Sequence, residues 1–377
     1  MQTTLSKDKV EHALALHKKS VCVDTHNHID CEDDIEERTS GGLDCKFYLG
    51  YVDTSTQDFY EAPPGMDNFG SCYESEGHFR KAIGVIDRAH LDIEKHNDKL
   101  ALALNAEEVV KNKKEGKLSV VLGFEGAKAL DGSLSNLRTF YRLGLRHLGL
   151  THGFGNQLSG GQWDPDNGLT NFGKAAVAEC NRLGIIVDTA HISEPGMAGV
   201  LEISKDPIII GHSGAKALCA PTGGLSVTTK VSSNPKSGGR QPQLLWDEQI
   251  KEVHEKGGVI GLHFFARVMT GRDEGGVEVL LNHTDYIAKL VGSVDSIGIG
   301  TDFYPRGEPW LTYMDTLIRR KRRVEGDSIL RPKLLLEDAS KMPEFTVGLV
   351  ERGYSDDEVE KILGGNVLRV MKAVTGA

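Results

Sequence analysis

Side chains that can bind metal ions or move protons stand at the ends of short apolar runs in this sequence. The runs are continuous rather than alternating and rich in β-branched residues, which is typical of parallel strands buried on both faces. The polar residues that end them are His26, His28, Glu125, His152, His191, His212 and Asp302. Imidazole and carboxylate together suit divalent ions such as Zn²⁺. The pattern therefore predicts a metal centre if the fold brings these ends together.

Seven such runs recur along the chain, and most are followed by the pattern of an amphipathic helix, as at 171–183, 247–256 and 277–291. They lie at 20–24, 118–124, 147–151, 185–189, 207–211, 258–262 and 296–300, with a weaker eighth candidate at Cys45–Tyr51. This alternation predicts an α/β protein with a (β/α)₈ TIM-type barrel. A doubly wound open sheet is the alternative, but no GxGxxG turn follows the first run and no GxxxxGK[ST] motif occurs.

In such a barrel the carboxyl ends of the strands meet on one face. His26 and His28 are two residues apart in an extended chain and point the same way, so they can hold one ion. His191 and His212 would hold a second ion, and Glu125 would bridge the two. We therefore expect two divalent metal ions as cofactors. Zn²⁺ suits these ligands best, and Mn²⁺, Fe²⁺ or Co²⁺ are the alternatives.

The composition of the 377 residues is that of an ordinary soluble globular protein, with 39% hydrophobic and 26% charged residues. A net charge of −10 argues against nucleic-acid binding, and no apolar run approaches the ~20 residues that cross a bilayer. We expect one domain over residues 1–377, with long excursions at 29–75 and 220–245. Six cysteines without a CxxC pair, and an N-terminus without a secretory pattern, favour the cytoplasm. The expected partner is a small-molecule substrate, and a homo-oligomer is left open.

The runs and their ends resemble the successive motifs of the membrane (renal) dipeptidases, the M19-type metallopeptidases of the amidohydrolase superfamily. The matching segments, in order, are VDTHNHID, VLGFEGAKAL, LGLTHGFGN, VDTAHIS, IIIGHSGAKALC, GGVIGLHF, VDSIGIGTDF and GGNVLRVMKAV. The resemblance implies a β/α barrel with two bridged zinc ions that hydrolyses dipeptides, often ones with a D-residue at the C-terminal side. It also implies that His152 contacts the region of the scissile carbonyl and that Asp302 handles protons.

Two positions depart from the family pattern. The first motif of the family is usually His-x-Asp, and His28 stands here in place of that aspartate. An imidazole there removes one negative charge from the site. The family's arginine that binds the dipeptide carboxylate is absent from the CAPTGG stretch after His212. We expect Arg240, beyond the long loop, to replace it.

The resulting hypothesis is a binuclear-metal hydrolase of the dipeptidase type. A hydroxide that bridges the ions would attack an amide carbonyl. Asp302 would accept the water proton and pass it to the leaving nitrogen, and His152 would donate to the oxyanion. Asn156, on the loop after His152, and His263, at the end of a strand, are expected to line the substrate pocket.

Three alternatives to this hypothesis stay open. The same site could act on a cyclic amide, an N-acyl amino acid or another small carbonyl compound. A one-metal deaminase also uses His-x-His, His and Asp at strand ends, but it gives no role to Glu125. An inactive barrel that serves as a binding protein is the third alternative.

Overall fold

The computed structural model describes residues 6–33, 35–53, 77–153, 155–162, 165–219, 244–304 and 333–376. Nine strands within these residues form one parallel sheet. They are β1 (Val23–Asn27), β2 (Cys45–Tyr51), β3 (Leu100–Leu102), β4 (Leu118–Glu125), β5 (Leu145–Gly149), β6 (Ile186–Asp188), β7 (Ile209–Ser213), β8 (Val259–His263) and β9 (Ile297–Gly300).

Eight of these strands close into a barrel. β2 pairs with β1 on one side and with β4 on the other, and β1 pairs with β9, so the sheet joins its own end. β3 lies beside the first residues of β4 and is additional to the ring. The predicted (β/α)₈ barrel is confirmed, and Cys45–Tyr51 is its weakly marked strand. The first strand is Val23–Asn27 instead of 20–24, which places His26 inside it.

Helices connect the strands around the outside of the barrel. They are α1 (Lys7–Lys19), α2 (Ile35–Ser40), α3 (His78–Lys95), α4 (Ala106–Lys114), α5 (Leu134–Arg142), α6 (Asn171–Leu183), α7 (Glu194–Ile203), α8 (Asp247–Glu255), α9 (Ala266–Thr270), α10 (Val277–Val291), α11 (Met342–Glu351), α12 (Asp356–Glu360) and α13 (Asn366–Thr375). α6 and α10 match the predicted helices at both ends. α6 begins after Thr170, whose hydroxyl accepts the Gly173 N–H, and it ends at Gly184, which has the left-handed conformation of a helix terminus. Each helix in the described part of the chain is too short or too polar to span a bilayer.

The amino-terminal half of the barrel interior is filled with apolar side chains. The buried cluster there includes Val23, Phe47, Val121, Ile209 and Val259. α13 packs against the same cluster and so covers the amino-terminal end of the barrel. The opposite, carboxyl end of the strands is the end that carries the predicted metal ligands.

Both predicted excursions are described only in part. Residues 34 and 54–75 of the first region and 220–243 of the second lie outside the described residues. The single-domain organisation of the chain stays a prediction.

Candidate metal centre

The carboxylate of Glu125 lies at the centre of the predicted ligands. Glu125 ends β4 and is 3% exposed. Its Oε1 lies 2.8 Å from His191 Nε2, 3.3 Å from His26 Nε2 and 3.5 Å from His212 Nε2, and its Oε2 lies 3.5 Å from His28 Nε2. The five predicted ligands therefore meet around one carboxylate, although they are far apart in the chain.

The two histidines of the first motif direct their rings into the same space. The Nε2 atoms of His26 and His28 are 3.0 Å apart. His28 Nδ1 donates to the carbonyl oxygen of Leu49 in β2 at 2.7 Å, which leaves the Nε2 lone pair facing the site. This separation suits either an Nε2–H of neutral His26 that donates to His28 Nε2 or a metal ion bound by both nitrogens.

The hydrogen bond of His191 leads to the same conclusion. His191 Nδ1 donates to Gln162 Oε1 at 3.0 Å, so in the neutral ring the Nε2 atom presents a lone pair to Glu125. A cation bound by both atoms would replace this repulsion with coordination. Among the described residues, the buried atoms His26 Nδ1 and Glu125 Oε2 also have no hydrogen-bond partner. The donor set of this site therefore fits divalent metal ions.

The electrostatics of the site also fit a cation. Burial opposes ionisation of Glu125, but nearby imidazoles, His152 first, outweigh it and hold the pKa of Glu125 well below its usual range. His212 similarly outweighs burial and holds the pKa of Asp302 well below its usual range. Burial lowers the pKa of His26 to about 3. Burial also opposes protonation of His212, yet Asp302 and Glu125 raise its pKa to about 9. Two buried carboxylates thus attract positive charge, which a divalent ion would supply.

Two site residues have a backbone conformation that residues other than glycine rarely adopt. His191 has a φ of 60° and Asp302 a φ of 56°, and Asp131 is the third non-glycine residue with positive φ in the described part of the chain. The left-handed conformation costs about 1–2 kcal/mol per residue. Such strain is concentrated at functional sites, where surrounding contacts maintain it. Its presence at the ends of β6 and β9 supports a role for both residues.

Asp302 faces the first histidine pair with one of its carboxylate oxygens. Its N–H donates to the His26 carbonyl oxygen at 2.9 Å. Its Oδ1 lies 3.3 Å from His28 Nε2 and 3.8 Å from His26 Nε2. This position suits a proton acceptor beside the metal ligands, and the three residues also form a possible ligand group.

His263 lies behind Asp302 and is fully buried at the end of β8. The Phe265 N–H donates to His263 Nδ1 at 3.1 Å, so the neutral ring carries its proton on Nε2. That nitrogen lies 3.3 Å from Asp302 Oδ2. Burial lowers the pKa of His263 to about 4, which keeps the ring neutral near pH 7. Both ring nitrogens therefore face protein atoms, and the predicted contact of His263 with substrate stays a prediction.

His152 lies at the edge of the ligand cluster and is partly accessible. Its side chain is 23% exposed, and its Nε2 lies 3.7 Å from Glu125 Oε2. Burial lowers the pKa of His152 to about 4, so the ring is neutral near pH 7. A neutral imidazole with one N–H can donate a hydrogen bond to an oxyanion.

The other two predicted substrate contacts are Asn156 and Arg240, and only Asn156 lies among the described residues. Asn156 Nδ2 donates to Asp53 Oδ2 at 2.8 Å and to the Leu150 carbonyl oxygen at 2.7 Å, and its Oδ1 accepts the Leu158 N–H. The Asn156 side chain thus maintains the shape of its loop, and its contact with substrate stays a prediction. Arg240 lies outside the described residues.

Sequence analysis missed a buried pair beneath the ligands. Asp188 ends β6 and accepts the N–H groups of Ala190 and Gly211, and its Oδ2 lies 3.0 Å from His147 Nε2. A side chain on Gly211 would collide with Asp188 and come within 2.9 Å of His26 Nδ1, so glycine is needed there. The signal was available, because His147 begins the apolar run 147–151 in the sequence.

The chain was compared with models of known protein families. The family model described as "Membrane dipeptidase (Peptidase family M19)" matches residues 7–226, 229–312 and 327–377. The chain belongs to this family. The assignment confirms the resemblance carried by the motifs, and it confirms the predicted class of enzyme, a metallo-dipeptidase.

Two relatives of this chain are fungal dipeptidases. Dipeptidase tcpJ of Claviceps purpurea is 29% identical over 346 residues, which cover 90% of this chain and 69% of that protein. Dipeptidase verJ of Clonostachys rogersoniana is 30% identical over 309 residues, which cover 80% of this chain and 66% of that protein. The chain therefore spans about two thirds of the length of these relatives.

Solved structures agree with the fold of the family. An amidohydrolase from Pseudomonas aeruginosa superposes with a TM-score of 0.77 at 22% identity and covers 97% of this chain and 99% of that one. A metallo peptidase from Rhodobacter sphaeroides, liganded with a phosphinate mimic of the dipeptide L-Ala-D-Ala, has a TM-score of 0.68 at 21% identity, covering 94% of this chain and 99% of that one. At these identities the comparisons establish the barrel fold alone. Membership of a metallopeptidase family implies dependence on divalent metal, while the number and identity of the ions stay predictions.

Proposed function

We propose that this protein hydrolyses the peptide bond of dipeptides with two bound divalent metal ions, for which Zn²⁺ suits the ligand set best. The observation that carries the proposal is the convergence of four imidazole Nε2 atoms within 3.5 Å of the Glu125 carboxylate. The dipeptidase names of the curated relatives support the substrate class. The small-molecule partner is accordingly a dipeptide.

Five residues would hold the two ions. His26 and His28 would bind the first, His191 and His212 the second, and one carboxylate, Glu125, would bridge them. When bound, such a metal pair lowers the pKa of a water molecule towards neutrality and polarises the carbonyl of the substrate.

Asp302 would move the proton in the reaction. Its pKa is held well below its usual range, so its carboxylate is ionised near neutral pH and can accept a proton from the attacking water at an Oδ atom. The same oxygen would deliver that proton to the amine nitrogen as the C–N bond breaks. The N–H of neutral His152 would donate to the carbonyl oxygen as negative charge develops on it.

One experiment tests this proposal directly. The purified protein is stripped of metal with a chelator, reloaded with Zn²⁺, and assayed on L,L- and L,D-dipeptides alongside N-acyl amino acids. We expect dipeptide cleavage only after reloading, with about two Zn²⁺ per chain at full activity. Cleavage by the stripped protein, or activity confined to the N-acyl amino acids, would contradict the proposal.

We also propose that the protein works in the cytoplasm. Cys22, Cys45 and Cys180 are buried free thiols, which suits a reducing compartment. Fractionation of the source cells with an antibody to the protein would test this.

A further inference from the structure

Lys46 is a fully buried lysine in the second barrel strand. It lies in β2 and is 0% exposed. Its strand neighbours Cys45 and Phe47 point into the barrel interior, so Lys46 points outwards, into the layer between the barrel and the surrounding helices. Lysine is almost never fully buried without specific partners, because its side chain loses strong hydration there.

The partners of Lys46 are backbone carbonyl groups of the segment that follows the first histidine pair. Lys46 Nζ donates to the carbonyl oxygen of Ile29 at 2.8 Å and to that of Asp30 at 3.4 Å. The chain leaves the barrel at this point, since β1 ends at Asn27. Buried carbonyl groups just beyond the end of a strand no longer pair with a neighbouring strand and need other hydrogen-bond donors. The ammonium group of Lys46 is such a donor.

Neighbouring residues fix the same segment at further points. Tyr48, two residues along β2, donates its hydroxyl to Asp30 Oδ1 at 2.6 Å. Asp92, in α3, accepts the Glu32 N–H at 3.2 Å. The segment 29–32 is thereby attached to both β2 and α3.

His28 depends on this attachment because it immediately precedes the segment. Its N–H donates to the Phe303 carbonyl oxygen at 2.8 Å, and its ring donates to the Leu49 carbonyl oxygen at 2.7 Å. β2 therefore fixes the His28 ring directly through Leu49, and it fixes the following backbone through Lys46.

We propose that Lys46 is a positioning residue for the metal site: it holds the backbone after His28 so that His28 Nε2 faces the first ion. Lys46 acts through His28 and does not touch the substrate. This inference rests on the proposed function, because it assigns a position in the same metal site.

The test compares Lys46→Met with a matched lysine at the other end of β1. Lys113 Nζ donates to the carbonyl oxygens of Lys18 and Ser20, before β1, and to Asp44. Lys113→Met removes equivalent bonds to the chain, but far from the ligands. Zn²⁺ binding is measured stepwise by competition with a chromophoric chelator, and the step that His28→Ala abolishes identifies the first ion.

We expect Lys46→Met to weaken binding of the first ion about tenfold, the lower end of the effect of losing a contact to the ligand itself, because Lys46 acts on His28 through the backbone. Binding of the second ion, and both steps in Lys113→Met, should be unchanged. Tyr48→Phe removes a single hydroxyl and should weaken the first step in the same direction by less. That variant decides the question if Lys46→Met does not fold.

Two results overturn the inference, and they can be told apart. If the wild-type protein binds no Zn²⁺, both the proposed function and the role of Lys46 are wrong. If it binds two ions and the first step is the same in wild type, Lys46→Met and Tyr48→Phe, the proposed function stands and Lys46 is structural only.

Discussion

His191 Nε2 lies 2.8 Å from Glu125 Oε1, although the two residues are separated by more than one complete β/α unit of the barrel. Because the Nδ1 atom of His191 donates to Gln162, the contact brings a lone pair of the neutral ring against a carboxylate oxygen. A shared cation makes such a contact favourable. This pair of residues therefore connects the fold, which sets the distance, with the metal chemistry that the family requires.

Replacement of the central carboxylate should remove both metal and activity. In Glu125→Gln the side chain keeps its shape and loses its charge, so it bridges two cations poorly. We expect less than two Zn²⁺ per chain and a fall in kcat/KM of about 10³-fold or more, because several kcal/mol of transition-state stabilisation depend on the metal. Metal analysis and dipeptide assays measure the two effects. Glu179→Gln, on α6 beside Arg138 and Arg182, is the control and should change neither.

Metal analysis and dipeptide assays should also show whether Asp302 moves protons or binds metal. Asp302→Asn cannot accept a proton at the position where the carboxylate would act. We expect kcat to fall about 10²- to 10⁴-fold with two Zn²⁺ retained. Loss of one ion in this variant would instead make Asp302 a ligand in the group with His26 and His28.

His263 should affect turnover through Asp302, and two amide variants separate its two contacts. In His263→Gln the terminal N–H of the side chain can reach Asp302 Oδ2. In His263→Asn the side chain can accept the Phe265 N–H but is too short to reach Asp302. We therefore expect kcat to fall by up to about tenfold in His263→Asn, which loses the 3.3 Å contact with Asp302 Oδ2, and by less in His263→Gln. KM and metal content should be similar in both. Equal kcat values in the two variants would exclude this role.

Asp53 should make the stability of the protein depend on pH. Burial raises its pKa from 3.8 to about 6, against the hydrogen bonds from Lys128 and Asn156. Since the folded state binds this proton more tightly, the stabilisation is complete below the unfolded pKa and is lost as the pH rises through the folded one.

Relative to Asp53→Asn, the wild-type protein should therefore lose about 3 kcal/mol of unfolding free energy between about pH 3 and pH 8. Urea denaturation of both proteins across this range measures the difference, and contributions from other groups cancel in the comparison. Parallel stability curves for the two proteins would show that Asp53 does not titrate in this way.

The barrel, and the meeting of the candidate ligands at its carboxyl end, could be predicted because local sequence patterns indicate both. Apolar runs define the strands. Once a barrel is assumed, the polar residue at the end of each run is expected at the carboxyl face, and no further information is needed to place it there. The same reasoning failed for residues whose role depends on a distant partner. His263 Nε2 faces Asp302 just after the next strand, and the loop role of Asn156 is set by Asp53.

Other features of the site were invisible for related reasons. Lys46 is a charged residue in a strand, a pattern that usually indicates an exposed position, and its carbonyl partners are fixed by the path of the chain after β1. The positive φ angles of His191 and Asp302 have no signature in residue type, because neither is glycine.

The central claim is that Glu125 bridges two ions at the carboxyl end of the barrel. A crystal structure of the Zn²⁺-loaded protein, with an anomalous difference map at the zinc edge, tests it most directly. We expect two peaks, with a Glu125 oxygen within ~2.5 Å of each and with His191 and His212 bound to one of them. If Glu125 lies farther than ~2.5 Å from every ion that His191 or His212 binds, the account is wrong.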